Sequence, residues 1–218
     1  MSSAANRRRK ILDAIAKAAA LAKRDPAAVQ LVAVSKQRSA DEIEALIDAG
    51  QRDFGENRMQ EVLGKWPSLL ERYPEVRLHG IGRLQSNKAS DAVRLFAVIH
   101  SLDRPSLLDA LTNESRKCLQ APQVYVQVNI GEEQQKGGVA IDELGDFLIK
   151  VRSSPLELVG LMAIPPMDVE PAPYFALLAD LARRHDVAGL SMGMSADFAT
   201  AVMLGATAVR IGTAMFED

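Results

Sequence analysis

The sequence predicts an α/β fold, a single (β/α)8 barrel of TIM type with an extra helix at its N-terminus. Three observations predict it. Strand signals alternate with helix signals along the chain, which implies parallel pairing. The alternation yields eight strands. The length of 218 residues is near the low end for such a barrel and leaves little room for a second domain, so residues 1–218 read as one domain. A doubly wound open sheet is the structural alternative.

The elements follow in order. Ile11, Leu12, Ile15, Ala18, Ala19 and Ala22 recur at helical spacing and predict an amphipathic packing helix. A basic cluster precedes that Ala-rich run, as in a targeting segment, but Asp13 and Lys17 interrupt it. "LVAVS" (31–35) is the first strand, and "SADEIEALIDAG" is a helix opened by a Ser39/Glu42 capping box and stopped by glycine. "RDFGE" (52–56) precedes a helix over 58–72, and "VRLHGIG" (76–82) precedes one over 88–96. "AVIHS" (97–101) leads to a helix over 106–119, and "QVYVQVNI" (123–130) to one over 141–152. "LELVGLMAI" (156–164) runs into a Pro-rich loop and a helix over 173–185. "AGLSMG" (188–193) leads into "SADFATAVMLGA", a helix ending at Gly205, and "TAVRIG" (207–212) closes the series with no helix assigned after it.

Composition excludes some function classes. A net charge of −2 gives no general pull toward nucleic acid or an anionic membrane. No apolar run is long enough to span a bilayer. The single cysteine, Cys118, makes no internal disulfide and is compatible with a reducing compartment. It lies on an outer helix and reads as structural. His100 and His185 lack companions at ligand spacing, so core or surface roles are expected and no metal.

In a (β/α)8 barrel the chemistry sits at the carboxyl ends of the strands. That rule gathers Lys36, Glu56, Asn57, His79, Asn129, Met162, Ser191 to Ser195, Arg210, Gly212 and Thr213 around one mouth. "LSMGMSADF" is a strand, a small-residue turn and a helix start, with Ser195 as the expected N-cap. "RIGTA" gives a second turn of that kind. Free N–H groups at such turns bind anions, and barrels frequently hold phosphate in the loops after strands 7 and 8. Each turn alone is also what an ordinary cap and a glycine would give; the pair in those two loops points to phosphate.

Lys36 follows a strand that is apolar on both faces, so its surroundings are partly enclosed. A desolvated lysine near other cations becomes a nucleophilic amine able to form a Schiff base. A solvated surface charge is the plain alternative. Arg210 stands among small and apolar residues and needs a partner, either a ligand or an acid such as Glu56. An amine, a guanidinium and two phosphate turns in one mouth match an aldehyde, a ring atom and a phosphate. Pyridoxal 5′-phosphate (PLP) carries all three. A sugar-phosphate aldolase explains Lys36 and the turns but gives Arg210 no clear task.

With "LVAVSK", "FGENRMQE", "IGRLQSNK", "IHSLDR", "VQVNIGEEQQKGGV", "GLMAIPP" and "LSMGMSADFATAVMLGATAVRIGTAMF" in this order, the chain resembles the YggS/PROSC-type pyridoxal phosphate homeostasis proteins. The resemblance implies the barrel fold of alanine racemase (fold type III) and PLP held as an internal aldimine. By position it makes Lys36 the aldimine lysine. It gives Ser195, Gly212 and Thr213 the phosphate and Arg210 the pyridine nitrogen, with Ser191 and Met194 in the same binding loop. Asn57 and His79 then line the ring, and Lys136 marks a second PLP site. Gly80 stands where the family often has a bulkier residue, so looser packing is expected there.

The resemblance further implies cofactor buffering and delivery in the cytoplasm, by a monomer whose partners are PLP and apo forms of PLP-dependent enzymes. A low-efficiency amino-acid racemase is the alternative. Racemisation needs two bases on opposite faces of the α-carbon. None of Tyr73, Tyr125 and Tyr174 is placed by its strand or helix as the second one.

Overall fold

The computed structural model describes residues 3–133 and 135–217. Eight parallel strands close into a barrel in sequence order, β8 pairing with β1. The strands are β1 (Gln30–Val34), β2 (Asp53–Glu56), β3 (Arg77–Gly80), β4 (Val98–Leu102), β5 (Gln123–Gln127), β6 (Glu157–Met162), β7 (Gly189–Ser191) and β8 (Ala208–Ile211). The helices are α1 (Ser3–Leu21), α2 (Ala40–Asp48), α3 (Met59–Arg72), α4 (Ala89–Leu95), α5 (Pro105–Cys118), α6 (Leu144–Arg152), α7 (Ala172–Arg184), α8 (Phe198–Met203) and α9 (Thr213–Phe216). The expected barrel and N-terminal helix are thus both present. The last strand is followed by a helix after all: Gly212 turns the chain directly into α9.

Side chains alternate across each strand, so one set faces the surrounding helices and the other fills the barrel. On β2, Phe54 faces outward and its ring meets that of Trp66 with centroids 5.5 Å apart. Trp66, Leu69 and Val62 form the buried stripe of α3. Truncating a fully buried tryptophan to alanine costs about 3–5 kcal/mol. This stripe holds α3 in place despite Pro67, which removes one helical hydrogen bond. The outer layer continues through α2, whose Ile43, Leu46 and Ile47 are buried behind the Ser39/Glu42 capping box, as the sequence predicts.

The basic N-terminal cluster belongs to the fold. Arg7 Nε donates to the Met215 carbonyl at 3.1 Å, and Arg8 Nε donates to Gln51 Oε1 at 3.1 Å. Arg24 donates to the carbonyls of Val202 and Ala206, fastening the end of α1 to the β8 side of the barrel. No helix among the described residues is long and apolar enough to cross a membrane.

Two local expectations change. Gly80 does not loosen the packing: a Cβ there would meet the Phe96 ring at 2.8 Å, so the aromatic side chain already occupies the space. Cys118 is exposed at the end of α5 and takes no part in the core.

Candidate functional site

Lys36 leaves β1 at the carboxyl end of the barrel, and its backbone is fastened on both sides. Ser35 Oγ donates to Glu56 Oε1 at 2.7 Å, and the Ser35 amide donates to the Gly55 carbonyl at 3.0 Å. Gln37 adopts a left-handed conformation with φ of 60°, and its amide donates to Glu61 Oε2 at 2.8 Å. Lys65 Nζ donates to the Ser35 and Arg38 carbonyls at 2.8 and 3.2 Å. The Lys36 side chain is exposed at the mouth, an amine on a rigid base rather than on a loose loop.

Arg210 faces the barrel interior and is only 4% exposed. Nη1 donates to the Ser191 carbonyl at 2.8 Å and also to Ser191 Oγ, and Nη2 donates to the Ala163 carbonyl at 3.1 Å. These contacts account for three of the five N–H donors of a guanidinium. Burial lowers its pKa to about 10, opposed by Asp197 and Tyr125. It forms no ion pair among the described residues. The acid considered from sequence, Glu56, is engaged elsewhere: Oε1 accepts from Ser35 Oγ, from Trp66 Nε1 at 2.9 Å and from Lys65 Nζ at 2.8 Å.

The turn after β7 is tied to β8, because the Arg210 amide donates to the Gly193 carbonyl at 3.0 Å. Gly193 has φ of 93°, and a Cβ there would lie 2.6 Å from Ala201 Cβ, so only glycine fits. Ser195 is not the helix cap. α8 starts three residues later, and the Asp197 carboxylate accepts from the Met194 amide at 2.6 Å. Asp197 holds the turn closed, leaving exposed Met194 and Ser195 on the solvent side. The bonds of this turn use the amides of Met194, Asp197 and Phe198. They do not use those of Ser195 and Ala196. At the adjacent turn Thr213 and Ala214 open α9, so their amides have no partner within the helix.

Beneath the mouth runs a buried polar chain that the sequence reading missed. His100 Nδ1 lies 2.7 Å from Ser191 Oγ, and His100 Nε2 lies 2.9 Å from His79 Nδ1. His79 Nε2 lies 3.0 Å from Asp53 Oδ1, which also accepts from Gln30 Nε2 at 2.8 Å. Burial lowers the pKa of His79 against the opposing pull of Asp53, and burial lowers that of His100 well below 6.5, helped by His79 and Arg210.

With both rings neutral, the carboxylate fixes every proton in the row. Asp53 only accepts, so His79 carries its hydrogen on Nε2 and accepts at Nδ1. His100 then donates from Nε2 and accepts from the Ser191 hydroxyl. Ser191 in turn offers its lone pair to Arg210. Tyr125 stacks on His100 with centroids 4.5 Å apart and an interplanar angle of 19°.

The expected site residues therefore divide. Lys36, Met194, Ser195, Gly212 and Thr213 stand at the mouth, with Arg210 and Ser191 buried directly below it. Asn57 is exposed after β2, where a Cβ on Gly82 would strike its carbonyl oxygen at 2.2 Å, so the loop after β3 packs tightly on it. His79 is further from the mouth: both ring nitrogens are engaged, and its link upward runs through His100 and Ser191. Lys136 lies in the loop after β5, paired with Glu133 at 2.6 Å and near the Pro165 carbonyl at 3.4 Å.

Fold and mouth together define an alanine racemase-type barrel with a lysine, a buried arginine and two small-residue turns converging at one end. Residues 11–218 match the family described as alanine racemase, N-terminal domain. The pyridoxal phosphate homeostasis protein of Pseudomonas aeruginosa is 41% identical over 99% of this chain and 96% of its own. That of Aquifex aeolicus is 37% identical over 99% of this chain and 98% of its own. The chain belongs to the alanine racemase N-terminal domain family, within its group of pyridoxal phosphate homeostasis proteins. PipY of Synechococcus elongatus, in a structure with PLP bound, superposes with a TM-score of 0.80 at 36% identity, covering 93% of this chain and 100% of PipY. An alanine racemase from Clostridium difficile shares the fold alone, with a TM-score of 0.73 at 14% identity over 96% of this chain and 56% of the racemase.

Proposed function

We propose that this chain, as one domain, binds PLP in the barrel mouth and serves to hold and hand over the cofactor. Lys36 condenses with the aldehyde to give a Schiff base and water. The turns after β7 and β8 take the phosphate through the amides of Ser195, Ala196, Thr213 and Ala214, with hydroxyls from Ser195 and Thr213. Arg210 faces the pyridine nitrogen, and Asn57 borders the ring. The PLP-bound PipY and the names of the curated relatives support the reading.

One observation carries it. A buried guanidinium held only by neutral acceptors stands below an anchored lysine, with donors still unassigned. A structural arginine would be expected to meet a carboxylate. The protein's own groups favour holding over efficient racemisation. Tyr125 is packed inside the barrel, where a Cβ on Gly160 would meet its ring at 2.3 Å, and burial raises its pKa. Tyr73 ends α3 and Tyr174 lies on α7.

The test uses the purified full chain with added PLP. Borohydride reduction followed by peptide mass analysis places the label on Lys36, and Lys36→Ala abolishes both the yellow colour and the label. Labelling that persists in Lys36→Ala would refute the assignment. Transfer of PLP to an apo-enzyme, measured beside racemisation of L-alanine, separates the two roles: efficient racemisation without transfer reverses the reading.

A further inference from the structure

A cavity of about 840 Å³ opens in the flank of the barrel, between the strands β2 to β4 and the helices α3 and α4. It lies outside the barrel interior, beneath the loops that follow β2, β3 and β4 at the rim of the mouth. Among the strand residues that line it, Glu56, Gly80 and Ile99 belong to the outward-facing set, and Ser101 lies beside them on β4, whereas Gly55, His79 and His100 face inward. Of the residues gathered around the mouth from sequence it shares Glu56, whose side chain faces outward, and Asn57.

Two buried polar atoms point to a ligand. Glu56 is 1% exposed; its Oε1 receives three donors, yet its Oε2 has no hydrogen-bond partner. Ser101, also 1% exposed, has an unpartnered hydroxyl, and both residues line this cavity. A buried oxygen without a partner costs about 1–3 kcal/mol, so a donor belongs there. The negative charge of Glu56 is already offset by Lys65 at 2.8 Å, and a neutral N–H or O–H donor meets the remaining need.

The opposite requirement stands at the open side. Arg58, Arg83, Lys88 and Arg104 line the cavity and are exposed or half-buried. Arg104 is engaged by the Leu84 carbonyl at 2.7 Å and by Asp103. Arg58, Arg83 and Lys88 form no ion pair among the described residues. Three such cations in one opening suit a doubly charged phosphate. Phe96, Ile99 and Leu63 supply apolar wall between the two ends. The volume lies in the range of small-molecule sites.

We propose that this flank cavity is a second binding site, distinct from the proposed PLP site inside the barrel mouth. Its ligand is a small organic phosphate: the phosphate sits among Arg58, Arg83 and Lys88, and an N–H or O–H donor at the far end reaches Glu56 Oε2 and Ser101. Purine mononucleotides have this layout and serve as probes.

Isothermal titration of the PLP-loaded full chain with AMP, GMP, glycerol 3-phosphate and inorganic phosphate tests it. At least one organic phosphate is expected to bind tenfold or more tighter than inorganic phosphate. Arg83→Glu/Lys88→Glu, on the solvent side, is expected to weaken that binding at least tenfold, and Ser101→Leu, which fills the far end, to abolish it. The visible absorbance of bound PLP stays unchanged in the charge variant, and the titration repeats on Lys36→Ala protein. If no organic phosphate outbinds inorganic phosphate, an adventitious ion only is present and the proposal falls. It falls equally if the charge variant binds as the parent does, and this arm stands even where Ser101→Leu fails to fold.

Discussion

Acidification is the sharpest probe of the buried row beneath the mouth. His79 and His100 are both fully buried, and burial lowers the pKa of each, that of His100 well below 6.5. Their unfolded-state value is about 6.5. Because the folded values are depressed, the unfolded chain binds protons first as pH falls. Stability is then full above about pH 6.5 and declines below it, until the folded value is reached. A histidine that stays neutral in the fold from pH 7.5 to 5.0 removes RT ln(1 + 10^1.5), about 2 kcal/mol, over that interval. His100, held well below 6.5, is the ring to which that amount applies; His79, whose lowering is opposed by Asp53, supplies less.

Carboxylates elsewhere also respond to acid, so a variant must isolate the histidine. His100→Asn keeps an acceptor near the Nδ1 position for the Ser191 hydroxyl and removes the titrating ring. It leaves His79 Nδ1 without its donor, costing about 1–3 kcal/mol at every pH. Urea unfolding of parent and variant at pH 7.5 and 5.0 gives the comparison. The variant is expected to be less stable at pH 7.5 but to lose about 2 kcal/mol less on acidification. In the parent, the ring C–H resonance of His100 should not move between pH 8 and 5. Equal losses in the two proteins, or a His100 resonance titrating near 6.5, would show that the ring is charged or solvated and that the proton order derived above is wrong.

Other perturbations give distinct outcomes. Arg210→Met leaves the buried Ala163 carbonyl without its donor, while the Ser191 carbonyl keeps the Ala163 amide at 3.2 Å; this costs about 1–3 kcal/mol in urea unfolding and weakens PLP binding in a spectroscopic titration. Unchanged stability would mean that these hydrogen bonds do not form. Gly193→Ala forces a Cβ to 2.6 Å from Ala201 at φ of 93°, a strain of about 1–3 kcal/mol. It should raise the dissociation constant for PLP with Lys36 intact, and equal affinity would remove the β7 turn from the phosphate site. Trp66→Phe withdraws one of the three donors on Glu56 Oε1 and costs about 1 kcal/mol, readable as a shift in the urea midpoint without loss of PLP.

The convergence of Lys36, Arg210 and the two turns at one end of the barrel is legible because strand–helix alternation assigns each strand a carboxyl end. The role of His100 is not, although it stands in plain view in "AVIHS". Ligand spacing compares a histidine only with neighbours along the chain, and its partner His79 lies on the adjacent strand, 21 residues earlier. Only barrel register, with His79 paired to Val98, brings His100 two residues further along β4 within reach of it. A polar residue at an inward position in each of two adjacent apolar strands was the available signal. Ser195 was misread for a different reason: Ser, Ala and Asp follow one another, and the carboxylate two residues on takes the amide of Met194. Local rules name residues able to cap, and competition between them settles which one does.

The absence of an ion pair to Arg210 among the described residues then has a physical reading. A carboxylate in contact would neutralise the guanidinium and occupy its donors. Here the carboxylate that stabilises the charge is Asp197, acting without an ion-pair contact, while Asp53 fixes the orientation of Ser191 through the row of two histidines. Carbonyls fix the arginine in place while its charge remains effective toward the mouth. Under the proposed function that is the useful arrangement. A cation facing the ring nitrogen disfavours its protonation, which makes the ring a weaker electron sink. The same cation still orients the ring over Lys36. A site so built grips the cofactor by its phosphate, its aldehyde carbon and its ring nitrogen, and does little to drive carbanion chemistry.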